Sequence, residues 1–331
     1  MKILVVRFSS IGDIVLTTPV VRCLKQQLPE TELHYLTKFS FHKVIASNPY
    51  IDRFYYLQDN WDLLLHELAE ENYDYIIDLH YNLRTARIKR KLGVKSFSFN
   101  KLNIEKWLYT NLKINRLPAV HIVDRYMETV KPLGVTNDGK GLDYFIPKEE
   151  EIKQTDLPHS HSAGYVALVI GAAHATKRLP VEKLKELCLQ LQHPLVLLGG
   201  PEDKAAGAEV AAVDPVKVYN ACGKFSLHES ADLVRKAKLV ITHDTGLMHM
   251  AAAFQKPVIS IWGNTVPEFG MTPYYGNKPV PSMMFQLNGL RCRPCSKIGH
   301  DACPKGHFKC MQQQDVQKIA SVATAWAREL R

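Results

Sequence analysis

Residues 239–262, LVITHDTGLMHMAAAFQKPVISIW, restrict the possible folds more than any other stretch of this 331-residue chain. Residues 239–242 read as a short buried strand and 256–262 as another. Between them lie His-Asp-Thr-Gly and a helix of small and sulfur-bearing residues over 247–254. Strand, polar turn, helix, strand is a βαβ unit, and such units bind ligands at the turn after the first strand. Asp244 and Thr245 are good N-cap residues, and Gly246 lets a ligand approach the backbone closely. The free N–H groups and positive dipole of that helix end favour an anion such as phosphate. His249 falls on the first helical turn, either within reach of the same ligand or buried behind a capped helix.

The same grammar runs through both halves. The first opens with the apolar strand KILVVRF, the turn SSIGD and a helix over 14–27. Strands follow at 32–36, 54–57 and 73–79, with a helix over 61–71. The second restarts with YVALVI at 165–170 and the turn GAAHATKRLP. A helix over 181–191, the strand PLVLLGG, a short strand at 216–220 and a helix over 227–237 lead into the βαβ unit. Strands alternating with helices predict parallel sheets covered on both faces. The polar segment 147–164 reads as an interdomain linker, and the last helix as starting near residue 314. Neither half carries G-x-G-x-x-G, which counts against a dinucleotide oxidoreductase.

Composition limits the partners. Hydrophobic content of 46% and charged content of 23% are those of an ordinary globular protein. No run of 18 apolar residues occurs, and MKILVVRFSS reads as a first strand rather than a signal peptide, so a cytoplasmic location is expected. The net charge of +9 asks for an anionic partner. Ten cations lie between Arg84 and Arg116 against one acid, Glu105, with Trp107 and Tyr109 interleaved, so this stretch is expected to form a docking surface. Cys23, Cys188 and Cys222 sit in apolar contexts and read as core residues. Cys292, Cys295, Cys303 and Cys310, near His300 and His307, have the ligand chemistry of a structural zinc site, although the later spacings are not those of a common zinc finger. A cysteine-rich loop without metal is the alternative.

Ligands in open α/β sheets sit outside the carboxyl ends of the strands. That places Ser9, Ser10, Gly12 and Asp13 of the first half in a site, where Asp13 is either a first-turn acid or a general base. From the second half come Lys177 and Arg178, cations just before a helix. Glu202 or Asp203 is either a ribose-binding acid or a helix cap, and Phe225 either stacks on a base or joins the core. No D-x-D pair occurs, so a bound diphosphate would be neutralised by Lys177 and backbone amides rather than through a divalent ion.

VVRFSSIGDIVLTTPVV, ATKRLP and HDTGLMHMAAAFQKPVISIWG together resemble the ADP-heptose:lipopolysaccharide heptosyltransferases of glycosyltransferase family 9. NPYIDRFYYL, DLHYNLRTARI, HIVDRY and the CRPC cluster extend the similarity over nearly the whole chain. The resemblance implies a GT-B fold, α/β, with two Rossmann-like doubly wound domains facing each other across a cleft. Residues 1–155 would bind the acceptor, 156–313 the nucleotide sugar, and 314–331 would form a helix crossing back to the first domain. It implies inverting, metal-independent transfer of heptose from an ADP-sugar donor to an anionic lipopolysaccharide-core acceptor at the inner membrane surface, with no cofactor and no nucleic acid partner. Asp13 matches the base, Lys177 the phosphate-binding lysine, and Asp244, Thr245, Gly246, Leu247 and His249 the nucleotide loop. Phe225 falls where an apolar residue meets adenine, and Ser10, Gly12, Asn82, Arg84, Arg87 and Arg125 fall on the acceptor side. Two departures stand out: Ala172 and Ala173 replace paired threonines, and His80-Tyr81 replaces Gln-Gly.

Overall fold

The structure, a computed structural model, describes residues 1–57 and 59–329 and divides into two compact α/β units. The first comprises Met1–Leu102, Val120–Phe145 and Tyr274–Lys278; the second takes Asn103–Ala119, Ile146–Pro273 and the chain from Pro279 onward. Both units are built on parallel sheets, as the alternating pattern predicts.

The first sheet contains β1 (Lys2–Val6), β2 (Glu32–Lys38), β3 (Arg53–Leu57), β4 (Tyr75–Asp78) and β5 (Lys95–Ser98), in the order β3-β2-β1-β4-β5. The second contains β6 (Val166–Val169), β7 (Leu195–Leu198), β8 (Val218–Asn220), β9 (Leu239–His243), β10 (Val258–Trp262) and β11 (Ser282–Gln286), in the order β11-β10-β9-β6-β7-β8. Every neighbouring pair is parallel. In both, the chain winds outward from the first strand, then returns to that strand's other side and winds the opposite way. The reversal makes a switch point between β1 and β4 and another between β6 and β9, where adjacent turns diverge and leave room for a ligand.

The central strands are unbroken apolar runs because both of their faces are covered. Ile3, Leu4, Val5 and Val6 are fully buried, as are Leu239, Val240 and Ile241, each worth about 1.5–3 kcal/mol when withdrawn from water. Cys23, Cys188 and Cys222 are core residues, as expected.

Several expectations are corrected. The helix read over 14–27 is two helices, Ile11–Val15 and Thr18–Gln27, and Pro19 opens the second, where a missing N–H costs nothing. Segment 147–164 is not a free linker but part of the second unit. Ile152 is buried and its N–H donates to Asp232 at 2.7 Å, while His161 bonds the Leu195 carbonyl at 3.0 Å. The boundary at 155 therefore moves to 145/146. The final helix, Val316–Glu329, is not set apart from the second unit. Val316, Ile319, Ala320, Ala323 and Ala327 form one apolar stripe inside that unit's core, and residues 330 and 331 of the expected element lie outside the described residues.

The basic stretch is also divided. Residues 84–102 belong to the first unit and 103–116 to the second. Lys89 pairs with the fully buried Asp78 at 2.9 Å, Arg87 with Asp62 at 3.1 Å, and Lys113 donates to backbone carbonyls.

Candidate functional site

At the first switch point, the turn after β1 carries Asp13 in the first turn of the short Ile11–Val15 helix. Its Oδ2 accepts the Ser10 N–H at 3.2 Å and the Ser10 hydroxyl at 2.7 Å. Its Oδ1 pairs with Arg7 at 2.7 Å. Asp13 is therefore a capping acid, and its position leaves the carboxylate partly exposed, with its side chain 19% accessible. Each oxygen can accept further bonds, so capping and proton transfer are compatible roles.

Arg7 explains how the acid is held. The guanidinium is 7% exposed and donates to the carbonyls of Ser9 and Leu79 at 2.7 and 2.6 Å and to the Tyr126 hydroxyl at 3.0 Å. Burial opposes its charge, but Asp13 more than offsets this and holds the proton more tightly than usual. The bond to Leu79 ties the β1 turn to the turn after β4. There His80 packs on Phe8 with ring centroids 4.7 Å apart, and burial, reinforced by Arg7 and Lys101, lowers its pKa to about 4. Neutral His80 thus stands beside Asp13 at ordinary pH.

The residues that the resemblance matched to the acceptor side divide by their local structure. Ser10 is exposed and Gly12 is buried in the turn. Asn82 caps the Leu83–Leu92 helix by accepting the Thr85 N–H at 3.0 Å, with Thr85 returning the favour. Arg84 and Arg87 lie exposed on that helix, whereas Arg125 is buried and reaches the Asn100 carbonyl at 3.4 Å.

At the second switch point, Lys177 follows β6 and Asp244 follows β9. Lys177 Nζ lies 2.6 Å from Asp244 Oδ2, which also accepts the Thr265 hydroxyl at 3.0 Å. Both members of the pair are only 13–15% exposed, so an anion arriving here meets a largely desolvated cation. Thr245 caps the Gly246–Ala253 helix through the Met248 N–H at 3.4 Å. Thr245, Gly246 and Leu247 remain half-exposed, while His249 is buried, at 2%.

The two acids after β7 are distinguished by burial. Asp203 is 3% exposed, accepts the Gly200 N–H at 2.9 Å and pairs with Arg178 at 2.8 Å. Burial raises its pKa despite Arg178. Gly171 gives it room: a Cβ there would lie 2.2 Å from the carboxylate. Arg178 in turn donates to the Ala172 carbonyl at 2.8 Å, so Arg178 and Asp203 brace the loop carrying Lys177. Glu202 is exposed and Phe225 half-buried.

His243 has a role that the sequence pattern leaves hidden. At the end of β9 its Nε2 accepts the Leu179 N–H at 3.0 Å, and burial, then Arg178, lowers its pKa to about 3. Neutral His243 therefore pins the start of the helix that follows Lys177. Its place at the last buried position of β9, directly before Asp244, is the only hint in the sequence.

A group with metal-binding side chains, Glu32, His34 and Glu71, is already satisfied by other means. Lys2 and Arg53 lie 2.6 and 2.5 Å from Glu71, and His34 bonds Tyr73 and Glu32, both at 2.8 Å. Two cations in place favour an ion-pair network over a metal ion.

The sequence profile of glycosyltransferase family 9 (heptosyltransferase) matches residues 61–300. The chain is similar to lipopolysaccharide heptosyltransferase 1 of Campylobacter coli, at 26% identity over 84% of this chain and 86% of that protein. Its fold is similar to a family 9 glycosyltransferase from Veillonella parvula DSM 2008, with a TM-score of 0.74, 23% identity and coverage of 99% and 97%. It is also similar to the E. coli heptosyltransferase WaaC in complex with ADP, with a TM-score of 0.67, 22% identity and complete coverage of both chains. Two parallel α/β units of the GT-B type are thus the architecture of this chain.

Proposed function

The chain belongs to glycosyltransferase family 9, and from that premise we propose that it moves a heptose from ADP-heptose to the inner core of lipopolysaccharide, inverting the anomeric carbon. The observation that carries the donor side is the Lys177–Asp244–Thr265 constellation, set at a switch point and against the N-terminus of the Gly246–Ala253 helix. A diphosphate binding there would take Lys177 from Asp244 and accept N–H groups from the start of the helix.

On the first unit, Asp13 accepts the proton of an acceptor hydroxyl as its oxygen attacks the anomeric carbon. The bond from that carbon to the diphosphate oxygen breaks, and ADP leaves from the opposite face with the electron pair. Lys177 and the helix N-terminus stabilise the charge that develops on it, a contribution that can reach several kcal/mol. The transfer needs no divalent ion, because Lys177 and backbone amides supply the positive charge. Glu202 is the acid that accepts bonds from the ribose hydroxyls, since Asp203 is used internally. Phe225 packs against adenine, with Leu247 beside the nucleotide.

Ser10, Gly12, Asn82, Arg84, Arg87 and Arg125 serve the anionic acceptor. No helix among the described residues is long and apolar enough to cross a membrane. Contact with the cytoplasmic face of the inner membrane is assigned to residues 103–119. Ile104, Trp107, Leu112 and Ile114 are 45–72% exposed there beside Lys106 and Arg116. Apolar insertion next to basic residues suits an anionic lipid surface, each charge adding about 1 kcal/mol.

The test is thermal stabilisation by a panel of nucleotides, followed by transfer with chelator present. Selective stabilisation by ADP over UDP, GDP and NAD, and a transfer rate unaffected by EDTA, are expected. A selective shift with UDP would overturn the donor assignment, and loss of transfer in EDTA restored by magnesium would overturn the metal-free mechanism.

A further inference from the structure

The cysteines with zinc-ligand chemistry do not come together. Among the described residues, no three of Cys292, Cys295, Cys303 and Cys310 bring their sulfurs within 4.8 Å of one another. Residues 287–308, the loop that carries the first three, are held by direct bonds instead. Arg293 donates to the Thr265 carbonyl at 3.0 Å, and the His300 N–H donates to the Thr176 hydroxyl at 2.8 Å. His80, at the first switch point, is built differently: its backbone is fixed and its ring is left open.

The turn after β4 holds that backbone rigidly. Asp78, fully buried, accepts the N–H groups of His80 and Tyr81 at 3.1 and 2.6 Å and pairs with Lys89 at 2.9 Å. One residue earlier, the Leu79 N–H donates to the Val6 carbonyl at 3.1 Å, and the Leu79 carbonyl accepts Arg7 at 2.6 Å. The same guanidinium holds Asp13 at 2.7 Å. A single buried group thus fixes both the chain entering His80 and the carboxylate of Asp13. The His80 ring is fixed as well, packed on Phe8, which is only 1% exposed.

Histidines that serve structure in this chain are engaged at both ring nitrogens. His34 bonds Tyr73 and Glu32, and His161 bonds Ser160 and the Leu195 carbonyl. In His80, Nδ1 is buried without a partner among the described residues, and Nε2, equally unpartnered, is the nitrogen left accessible. Orphaned buried N–H groups are rarer than orphaned acceptors, so the proton belongs on Nε2. Burial, then Arg7 and Lys101, keep the ring neutral at ordinary pH against the opposing pull of Asp78 and Asp13. A neutral donor suits this place, because an imidazolium would draw down the proton affinity of Asp13 and weaken it as a base.

We propose that His80 is a specificity-determining residue for the acceptor, its Nε2–H donating to a hydroxyl oxygen of the acceptor sugar next to the hydroxyl that Asp13 deprotonates. The assignment rests on the acceptor-side reading given above. A rigid donor placed for one hydroxyl discriminates against sugars that lack it, since the protein group is then left without a partner.

The test uses the full chain, ADP-heptose and a set of core acceptors, each lacking one hydroxyl of the sugar that receives the heptose. His80→Phe keeps an aromatic ring on Phe8 but has no N–H, and His80→Gln keeps a donor. His80→Phe should raise the acceptor KM by about 10-fold, and His80→Gln should recover part of that loss. Both should bind ADP as the wild type does in calorimetry. One deoxy acceptor should lose about 10-fold with the wild type and nothing further with His80→Phe, the non-additivity expected of a direct contact. A wild-type acceptor KM in His80→Phe would show a histidine kept only for packing and would overturn the assignment. Losses that add for every deoxy acceptor would also overturn it. A reaction with another donor or acceptor would instead overturn the function proposed above, and His80 is then judged by the acceptor KM in that reaction.

Discussion

The two switch points use ion pairs of opposite polarity. At the first, a buried cation, Arg7, holds a partly exposed acid, Asp13. At the second, a carboxylate, Asp244, holds a lysine, Lys177. In each pair one member is fixed by other groups: Arg7 by three further acceptors, Asp244 by Thr265. The other member is displayed at the turn. In the proposed mechanism, a base for a hydroxyl proton and a cation for a diphosphate come from the same topology with the charges exchanged. Each site is also backed by a neutral histidine, the half-buried His80 in the first unit and the buried His243 in the second.

The largest effect that would break this comparison is expected at Asp13. Asp13→Asn retains the Ser10 cap but cannot take a proton, so turnover should fall by roughly 10²-fold or more while ADP affinity is unchanged. Unchanged turnover in steady-state kinetics would reduce Asp13 to a capping residue. At the other pair, Lys177→Ala should weaken ADP binding by about 10- to 100-fold, as loss of a desolvated charge-assisted bond predicts. Calorimetry that finds equal affinity would remove Lys177 from the donor site.

A smaller effect separates Asp203 from Glu202. Asp203→Asn should cost about 1–3 kcal/mol of stability, because Arg178 loses its buried partner. Glu202→Gln should leave the melting temperature alone and weaken binding of ADP but not of pyrophosphate. The reverse pattern would exchange their roles. The smallest effect is a pH dependence. Folding lowers both histidine pKa values, so their neutral forms stabilise the fold fully above about pH 6.5, the unfolded value, and less as pH falls. Melting temperature should decline below pH 6.5 and decline less in either His80→Gln or His243→Gln. The variants should diverge only near pH 4, where folded His80 takes its proton and His243 does not. Identical curves down to pH 3 would mean that the two backings do not differ.

Much of this was legible locally. A parallel sheet follows from apolar runs separated by amphipathic helices, and a turn such as HDTG or SSIGD follows from short-range capping chemistry. Asp13 and Lys177 could be placed at the switch points because each sits in the turn that follows a strand. Asp203 and Glu202 could not be told apart, because Arg178 and Gly171, which decide between them, are 25 and 32 positions away from Asp203 in sequence. His249 looked ligand-facing from its place on the first helical turn, but its depth depends on how the helix packs. The basic stretch 84–116 passes from one unit into the other at residue 103, a division that charge counted along the chain does not reveal.

By itself, the sequence determined where the strands other than the edge strands β5 and β11 lie and which residue types stand at the turns after them, since capping, periodicity and strand burial act over a few residues. Only the tertiary structure decided which charge holds which. It put Arg7 under Asp13, Asp244 beside Lys177 and the cysteine loop against Thr176 and Thr265. The Lys177–Asp244 pair and the Thr176–His300 bond join residues 67 and 124 positions apart, and the first forms because β6 lies beside β9.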